Sequence, residues 1–362
     1  MPQQNLDRSK LRADAIKQSA IADMKQHSDK LIHGFESADE TYSRRAIWEL
    51  VQNARDLSDH CNITICLNDN SFSFTHNGKP FTSNTLLSLI KQVSSKSDDK
   101  LNEEILEDEV EEVGQYGTGF ITTHAFGKQF SIKGSLKVAD DTYIALEDFE
   151  IDRKAPTSTK LAEKLLAQQN AVFDLLEKNG DFTSESTDTT FTYKFDEKSD
   201  RENAVEAFKS YTEHYLPLVM ALNGHIKSIT IINKIENYKR VYRKGENIIE
   251  NGITATPIII DDKPPQNIFS LQDKETEMII ILPLAERSKT RKWDEDMGRL
   301  FLYFPLVGTE AWGSNFIIHC GRFSPTNARD GLHLISSNSQ TKEKEESNRE
   351  IMGIASTMIF PI

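Results

Sequence analysis

The stretch WELVQNARD, residues 48–56, decides how the first half of this chain is interpreted. It places Glu49, Asn53 and Asp56 at positions i, i+4 and i+7, so on a helix the three polar side chains share one face. An apolar stripe runs roughly opposite, formed by Ile47, Leu50, Val51 and Ala54. Two interpretations stay open. The helix is an amphipathic surface helix, or Glu49 polarises a water molecule and Asn53 supplies an oxygen ligand for Mg²⁺.

A glycine-rich stretch, GQYGTGF at residues 114–120, presents a similar choice. Its glycines, Gly114, Gly117 and Gly119, either turn the chain or let phosphate oxygens approach the free N–H groups at the start of a helix. It is not a Walker loop, because no GK[ST] follows. It is not a dinucleotide fingerprint either, because a helix and a hairpin precede it.

A third stretch, HNGKPF at residues 76–81, ends the second strand of a predicted hairpin. Gly78 lets the backbone pass close to a flat ligand, although a plain Asn-Gly turn has the same sequence. Each of the three stretches is a weak signal alone. Their occurrence in this order, with these spacers, is a stronger one.

The composition narrows the class of protein. The 362 residues predict two or three domains, and 38% of them are hydrophobic, enough for sizeable cores. A net charge of -13 and a pI of about 5.3 argue against a non-specific nucleic-acid binder. Three cysteines fit neither a disulfide framework nor a metal knuckle, which favours a reducing cytoplasm. The polar N-terminus lacks a signal peptide's apolar region, and no stretch has the apolar length of a membrane span. The abrupt apolar end either packs as a last element or indicates a chain cut from a longer one, and we favour the second interpretation.

Taken together, the three stretches resemble the GHKL ATPase superfamily, which includes gyrase B, the ninety-kilodalton heat-shock chaperone, histidine kinases and MutL. The helix matches the family pattern E-x-x-x-N-A-x-D, and GQYGTG matches the glycine box of the family's lid. A later strand threonine of the family matches Thr189 in TDTTFTYKF, with Thr190 as the alternative register. The resemblance covers roughly residues 20–200 and is nearest to the sacsin-like branch, whose ATPase heads begin very large proteins, including bacterial phage-defence proteins.

The resemblance implies a fold, two ligands and a set of site residues. The fold is a two-layer α/β sandwich, the Bergerat ATP-binding fold, followed by a smaller α+β transducer-like domain. The ligands are ATP and Mg²⁺, with Glu49 as general base and Asn53 as metal ligand. The residues implied around the nucleotide are Asn53, Asp56, His76, Asn77, Gly78, Gly114, Gly117, Thr118, Gly119, Phe120 and Thr189. Lys96, in the polar run SSK, is a further candidate for contact with phosphate.

The sequence departs from the family in two places. The adenine-reading box D-x-G-x-G is replaced by residues 76–80, HNGKP, so a histidine stands where an aspartate accepts a hydrogen bond from the adenine amino group. The lid is also unusual: from Asp98 to Glu112 it carries nine acidic residues and one lysine. We therefore expect the lid to stay open in the isolated domain, because its negative charges repel a triphosphate.

The predicted organisation has three parts: an N-terminal helical segment at 1–36, an ATP-binding domain at 37–200 and an α+β domain at 201–362. Periodicity predicts helices over 12–33, 35–57, 82–95, 158–179 and 202–223, and a further helix opening at Gly119. Alternation predicts a hairpin over 61–81 and strands at 129–138, 142–150 and 187–195. Five more β-rich runs follow residue 228.

Two functions from different classes remain. The first is an ATPase in which hydrolysis drives lid closure and dimerisation of a larger protein, with a cation of the second domain at the γ-phosphate; Arg329 and Lys342 are the candidates. The second is a nucleotide-sensing or scaffold module without turnover. A histidine kinase is the poorer alternative, since only about 48 residues precede Glu49. The expected partners are ATP, a second copy of the chain and effector domains outside it, with no membrane and no nucleic acid.

Overall fold

The computed structural model describes residues 8–36, 41–92, 118–177, 182–286, 289–326, 329–335 and 341–359. The chain divides into two compact units: Met1–Phe208 with Asn233–Asn237, and Lys209–Ile232 with Tyr238–Ile362. Both combine helices with a β-sheet, so the fold is mixed α/β, as predicted. The predicted boundary at residue 200 lies eight residues before the division.

The sheet of the first unit carries the central part of the candidate site. Its strands run in the order β1–β2–β6–β4–β5, and each is antiparallel to its neighbour. The short strand β3 is parallel to β4 and pairs with the same edge of β4 as β6 does, farther along the strand. The bounds are β1 Cys61–Asn68, β2 Ser71–His76, β3 Phe81–Thr82, β4 Gln129–Ala139, β5 Thr142–Asp152 and β6 Thr189–Lys194.

Burial alternates along these strands because successive side chains point to opposite faces of a sheet. One face carries the large buried side chains, with Phe72 opposite Tyr193 and Phe74 opposite Phe191. The other face carries half-exposed hydroxyls, among them Thr75 and Thr190, whose side chains hydrogen-bond at 2.9 Å. The predicted hairpin over 61–81 is confirmed, with β1 and β2 separated by a two-residue turn.

The described residues of the first unit form six helical segments: α1 Arg8–Glu36, α2 Thr41–Asp56, α3 Ser83–Lys91, the 3-10 helix Thr118–Phe126, α4 Ser158–Glu177 and α5 Lys198–Ser210, which ends just past the division. α1 packs against α4, and α2 packs along the 3-10 helix. A reciprocal capping box formed by Thr82 and Thr85 starts α3. In α1, residues 8–19 are all exposed, and burial begins near Met24.

The second unit contains a larger sheet, in the order β16–β15–β17–β12–β11–β10–β8–β7, with β9 also paired to β10. The bounds are β7 Ile226–Asn233, β8 Tyr238–Lys244, β9 Ile248–Glu250, β10 Ile253–Ile260, β11 Lys263–Asp273, β12 Met278–Ile281, β15 Leu300–Leu302, β16 Phe304–Pro305 and β17 Ile317–Cys320. A separate hairpin joins β13 Leu284–Glu286 to β14 Lys289–Thr290. The last helix, α7 Lys342–Ile359, buries Ile351 and Ala355 in the core around β12 and β17.

One predicted helix ends where expected but is not regular throughout. The helix predicted over 202–223 is interrupted by a π-helical turn, Tyr211–Tyr215, before α6 Leu216–Leu222. Pro217 in the first turn of α6 has no N–H to donate, and the Leu216 N–H bonds Tyr211 O, five residues back.

Candidate functional site

The polar face of α2 is buried, which bears on the interpretation of that helix as a surface helix. Glu49 is 9% exposed, Asn53 7% and Gln52 only 2%, while Ala46, Ile47 and Leu50 on the other side are also buried. The Asp56 side chain is 1% exposed and forms an ion pair with Arg55 at 2.9 Å. A solvated amphipathic helix would leave these polar groups in water, so the surface-helix interpretation was wrong.

Glu49 lies directly against the glycine stretch. A Cβ built on Gly119 would stand 2.8 Å from Glu49 Oε1, and closer still to Oε2, so the carboxylate occupies the space that any side chain at 119 would need. A side chain at 119 would therefore fit only if the Glu49 carboxylate moved away, since a Cβ essentially never lies under 3.0 Å from another heavy atom. The structure thus brings together Glu49 and Gly119, which were singled out from stretches 70 residues apart.

Arg45, which the sequence analysis did not single out, forms an ion pair with this carboxylate. Its Nη2 lies 3.2 Å from Glu49 Oε1, and both side chains are largely buried, at 16% and 11% exposed. The i, i+4 spacing of an arginine and a glutamate on one helix was the signal that could have identified it. The ion pair holds the carboxylate in place one turn before Asn53.

Two site residues carry buried polar atoms that no protein group satisfies. Among the described residues, neither Asn53 Nδ2 nor Thr189 Oγ1 has a hydrogen-bond partner, although both are buried. A buried polar group without a partner costs roughly 1–3 kcal/mol, so such groups are uncommon unless a ligand completes them. Thr190, the alternative register, is instead bonded to Thr75, which leaves Thr189 as the inward-facing threonine.

The turn at residues 76–80 is held together by its own hydrogen bonds. The Gly78 N–H donates to His76 Nδ1 at 3.0 Å. The Asn77 side chain bridges to β1: its Oδ1 accepts from the Asn62 N–H at 2.7 Å and its Nδ2 donates to His60 O at 3.0 Å. A Cβ on Gly78 would lie 2.7 Å from Leu57 Cβ, so glycine is needed where the turn crosses the end of α2.

His76 is neutral in the folded protein. It is 2% exposed and lies between aromatic rings, with the Phe191 ring nearly parallel at a centroid distance of 6.2 Å. Burial in these surroundings lowers the pKa of His76 to about 4. Because a backbone N–H can only donate, Nδ1 is the acceptor and the ring proton resides on Nε2.

This neutral histidine predicts a pH-dependent stability. Between pH 6.5 and 4 the unfolded chain takes up a proton at His76 and the folded chain does not, so acid favours unfolding by up to about 1.4 kcal/mol per pH unit. His76→Phe removes this uptake. The free energy of unfolding of the wild type minus that of the variant should therefore decrease as the pH falls. Urea unfolding between pH 6.5 and 4.5 measures this difference. A difference that stays constant over this range would contradict the assignment.

The stretch after Gly119 is a 3-10 helix in the protein core. Three consecutive side chains bond to carbonyls three residues back: Thr122 to Gly119 O, Thr123 to Phe120 O and His124 to Ile121 O. Phe120 is 1% exposed and packs on Phe130 and Phe191 at centroid distances of 5.8 and 5.7 Å. Phe120 is therefore a core residue beneath the site.

Arg153 is a second residue that the sequence analysis missed. It is 1% exposed, and its guanidinium donates to His124 Nε2 at 2.8 Å, to Gln92 Oε1 at 2.7 Å and to Leu89 O. Burial lowers the pKa of this guanidinium to about 9, and burial with the nearby Arg153 charge lowers the pKa of His124 well below its usual value. Arg153 thus ties the last turn of α3 to the 3-10 helix.

The remaining predicted site residues either fall outside the described residues or belong to the second unit. Lys96, Gly114 and Gly117 fall outside the described residues, as does the side chain of Thr118. Arg329 belongs to the second unit, in a turn where its φ is 53° and its N–H bonds Thr326 O. Lys342, in the same unit, is 72% exposed and pairs with Glu346. Within the described ranges, no three His, Cys, Asp or Glu side chains gather as a metal site would require, and no helix has the length and apolar character to cross a membrane.

Comparison with protein-family models and with curated protein sequences finds no match. The function therefore has to be argued from the geometry of the site.

Proposed function

We propose that this chain binds a purine nucleoside triphosphate with Mg²⁺ and hydrolyses it, as a GHKL-type nucleotide hydrolase with a Bergerat sandwich in its first unit. ATP is the substrate that the resemblance implies. The observation that carries the proposal is the contact of the buried Glu49 carboxylate with Gly119. A base for water activation and a backbone suited to phosphate oxygens then lie side by side, as phosphoryl transfer to water requires.

The unsatisfied groups support the same conclusion. Asn53 presents one amide oxygen, which suits Mg²⁺ because this ion keeps most of its water and binds few protein ligands besides the phosphates. Thr189 Oγ1 and Asn53 Nδ2 are hydrogen-bonding groups for which the described protein has no partner. A bound nucleotide would satisfy both. When bound, Mg²⁺ would neutralise charge on the phosphates, while Glu49 accepts the proton of the attacking water.

The exposed half of α1 supports the expectation that two copies pair when nucleotide binds. Residues 8–19 form helix without burying any side chain, and they include Leu11 and Ile16, which are 51% and 60% exposed. An isolated amphipathic segment of this length gains little stability in water and is favoured by packing against another surface. As part of the same proposal, the pairing of two copies signals to an effector, including an effector that acts in phage defence.

A calorimetric titration tests the proposal. We expect heat on adding ATP or another purine nucleoside triphosphate to the whole chain, only when Mg²⁺ is present. Asn53→Ala should bind about tenfold to a hundredfold more weakly, since a metal-site ligand is lost. Asn170→Ala, at an exposed position of α4, is the matched control and should bind as wild type does. Absence of magnesium-dependent binding with every purine nucleotide would overturn the proposal.

A nucleotide-binding module without turnover is the second candidate, and one observation favours it. Arg45 forms an ion pair with the carboxylate that would act as base, so this carboxylate already has a partner inside the protein. Such a module would bind nucleotide as above and release no phosphate.

A further inference from the structure

The base-reading end of the proposed site offers hydrogen-bond donors. With Nδ1 accepting from Gly78, the neutral His76 ring carries its proton on Nε2, which has no acceptor among the described residues. Thr189 lies directly opposite His76 across the β2–β6 pair, and its buried hydroxyl is also without a partner there. The buried Phe191 ring lies nearly parallel to that of His76, at a centroid distance of 6.2 Å.

The position of this end relative to the phosphate end follows from α2. In the middle of α2 Glu49 touches Gly119, and just past the end of the helix Leu57 touches Gly78, whose turn begins at His76. The Lys79 N–H also donates to Leu57 O at 2.9 Å, which holds the turn against the helix. Eight residues of helix separate the two contacts by about 12 Å, a span in the range of an extended nucleoside triphosphate.

Purines differ in what they present at carbon 6. Adenine carries an amino group there, which donates, whereas guanine and hypoxanthine carry an oxygen, which accepts. A histidine N–H facing an amino group leaves two buried donors unpaired, and such a mismatch is costly because neither group keeps its water. A carbonyl oxygen in the same place accepts the His76 proton.

We propose that the base end of this site selects a purine with an oxygen at carbon 6, so that GTP and ITP bind more tightly than ATP. This inference rests on the proposed function and specifies its substrate class. His76 is the residue that selects the base, through Nε2–H, and Thr189 provides a second hydrogen bond beside it.

The test is a calorimetric ranking of ATP, GTP and ITP with Mg²⁺ on the unmodified chain. ITP differs from ATP only at carbon 6 and the adjoining ring proton, and GTP adds an amino group at carbon 2. We expect ITP and GTP to bind on the order of tenfold to a hundredfold more tightly than ATP. Equal or tighter binding of ATP would overturn this inference and leave the proposed function standing. Binding of none of the three would overturn the proposed function itself.

A substitution identifies the residue responsible. His76→Asp replaces the donor by a carboxylate that accepts from both Gly78 N–H and an amino group, so we expect the ranking to reverse in favour of ATP. Asn170→Asp, at an exposed position of α4, adds the same charge away from the turn and should leave the ranking unchanged. A His76→Asp protein that melts as wild type does and keeps the wild-type ranking would show that residue 76 does not select the base. If this variant fails to fold, the ranking on the unmodified chain still decides.

Discussion

Glu49→Gln is expected to abolish nucleotide hydrolysis while leaving nucleotide affinity within about threefold of wild type. The amide has nearly the shape of the carboxylate, so the contact with Gly119 is kept. It cannot accept a proton from water, and loss of a positioned general base typically costs about 10²- to 10⁴-fold in rate. Phosphate release measures the first expectation and calorimetry the second.

The matched control is Glu177→Gln, at an exposed position at the end of α4, which should hydrolyse at the wild-type rate. Undiminished hydrolysis in Glu49→Gln would exclude Glu49 as the base. Binding without turnover in both the wild type and the variant would favour the module without turnover, in which Arg45 occupies the carboxylate permanently. Equal loss of binding and hydrolysis would show that Glu49 maintains the architecture of the site instead of reacting.

Arg153→Met is expected to destabilise the first unit by about 3 kcal/mol, because buried acceptors that water solvates in the unfolded chain would lose the donors that replace this water in the folded protein. The acceptors include Leu89 O and His124 Nε2, both far from water. For a unit of this size, about 3 kcal/mol corresponds to a melting temperature lower by roughly 6–12 °C. Thermal unfolding followed by circular dichroism measures the change.

Arg153→Lys should recover little of this loss, since an ammonium group cannot reach several acceptors at once as the planar guanidinium does. Arg12→Met, on the exposed half of α1, is the matched control and should melt within about 1 °C of wild type, as surface substitutions usually have small effects. If Arg153→Met melts like the control, the hydrogen bonds around the guanidinium do not contribute net stability.

The parts of the fold that sequence reasoning predicted well are those with a local signal. The β1–β2 hairpin alternates strictly over both strands, and α2 has a helical apolar stripe. The pattern could not reveal that the opposite, polar face of α2 is also buried, because burial there depends on the 3-10 helix some 70 residues later. That burial is nevertheless what makes the polar residues Glu49, Asn53 and Asp56 candidates for a functional site.

Where prediction failed, distant contacts or side-chain chemistry overrode the local pattern. Arg153 lies in the charged run EIDRK and has no local sign of burial; its partners come from α3 and the 3-10 helix. β11 has two prolines directly after its first residue, and prolines usually argue against a strand. They are tolerated here because they lie next to the turn of the β10–β11 hairpin. Thr122, Thr123 and His124 all bond three residues back, which favours a 3-10 over an α-helix.

The contact of Glu49 with Gly119 also has a mechanical consequence. No side chain stands between the carboxylate and the backbone of the glycine stretch, so nothing soft separates them. A displacement of that backbone by a fraction of an ångström would move the carboxylate by the same amount, since densely packed atoms transmit strain. A shift of the backbone at Gly119 would therefore change the direction in which the base points.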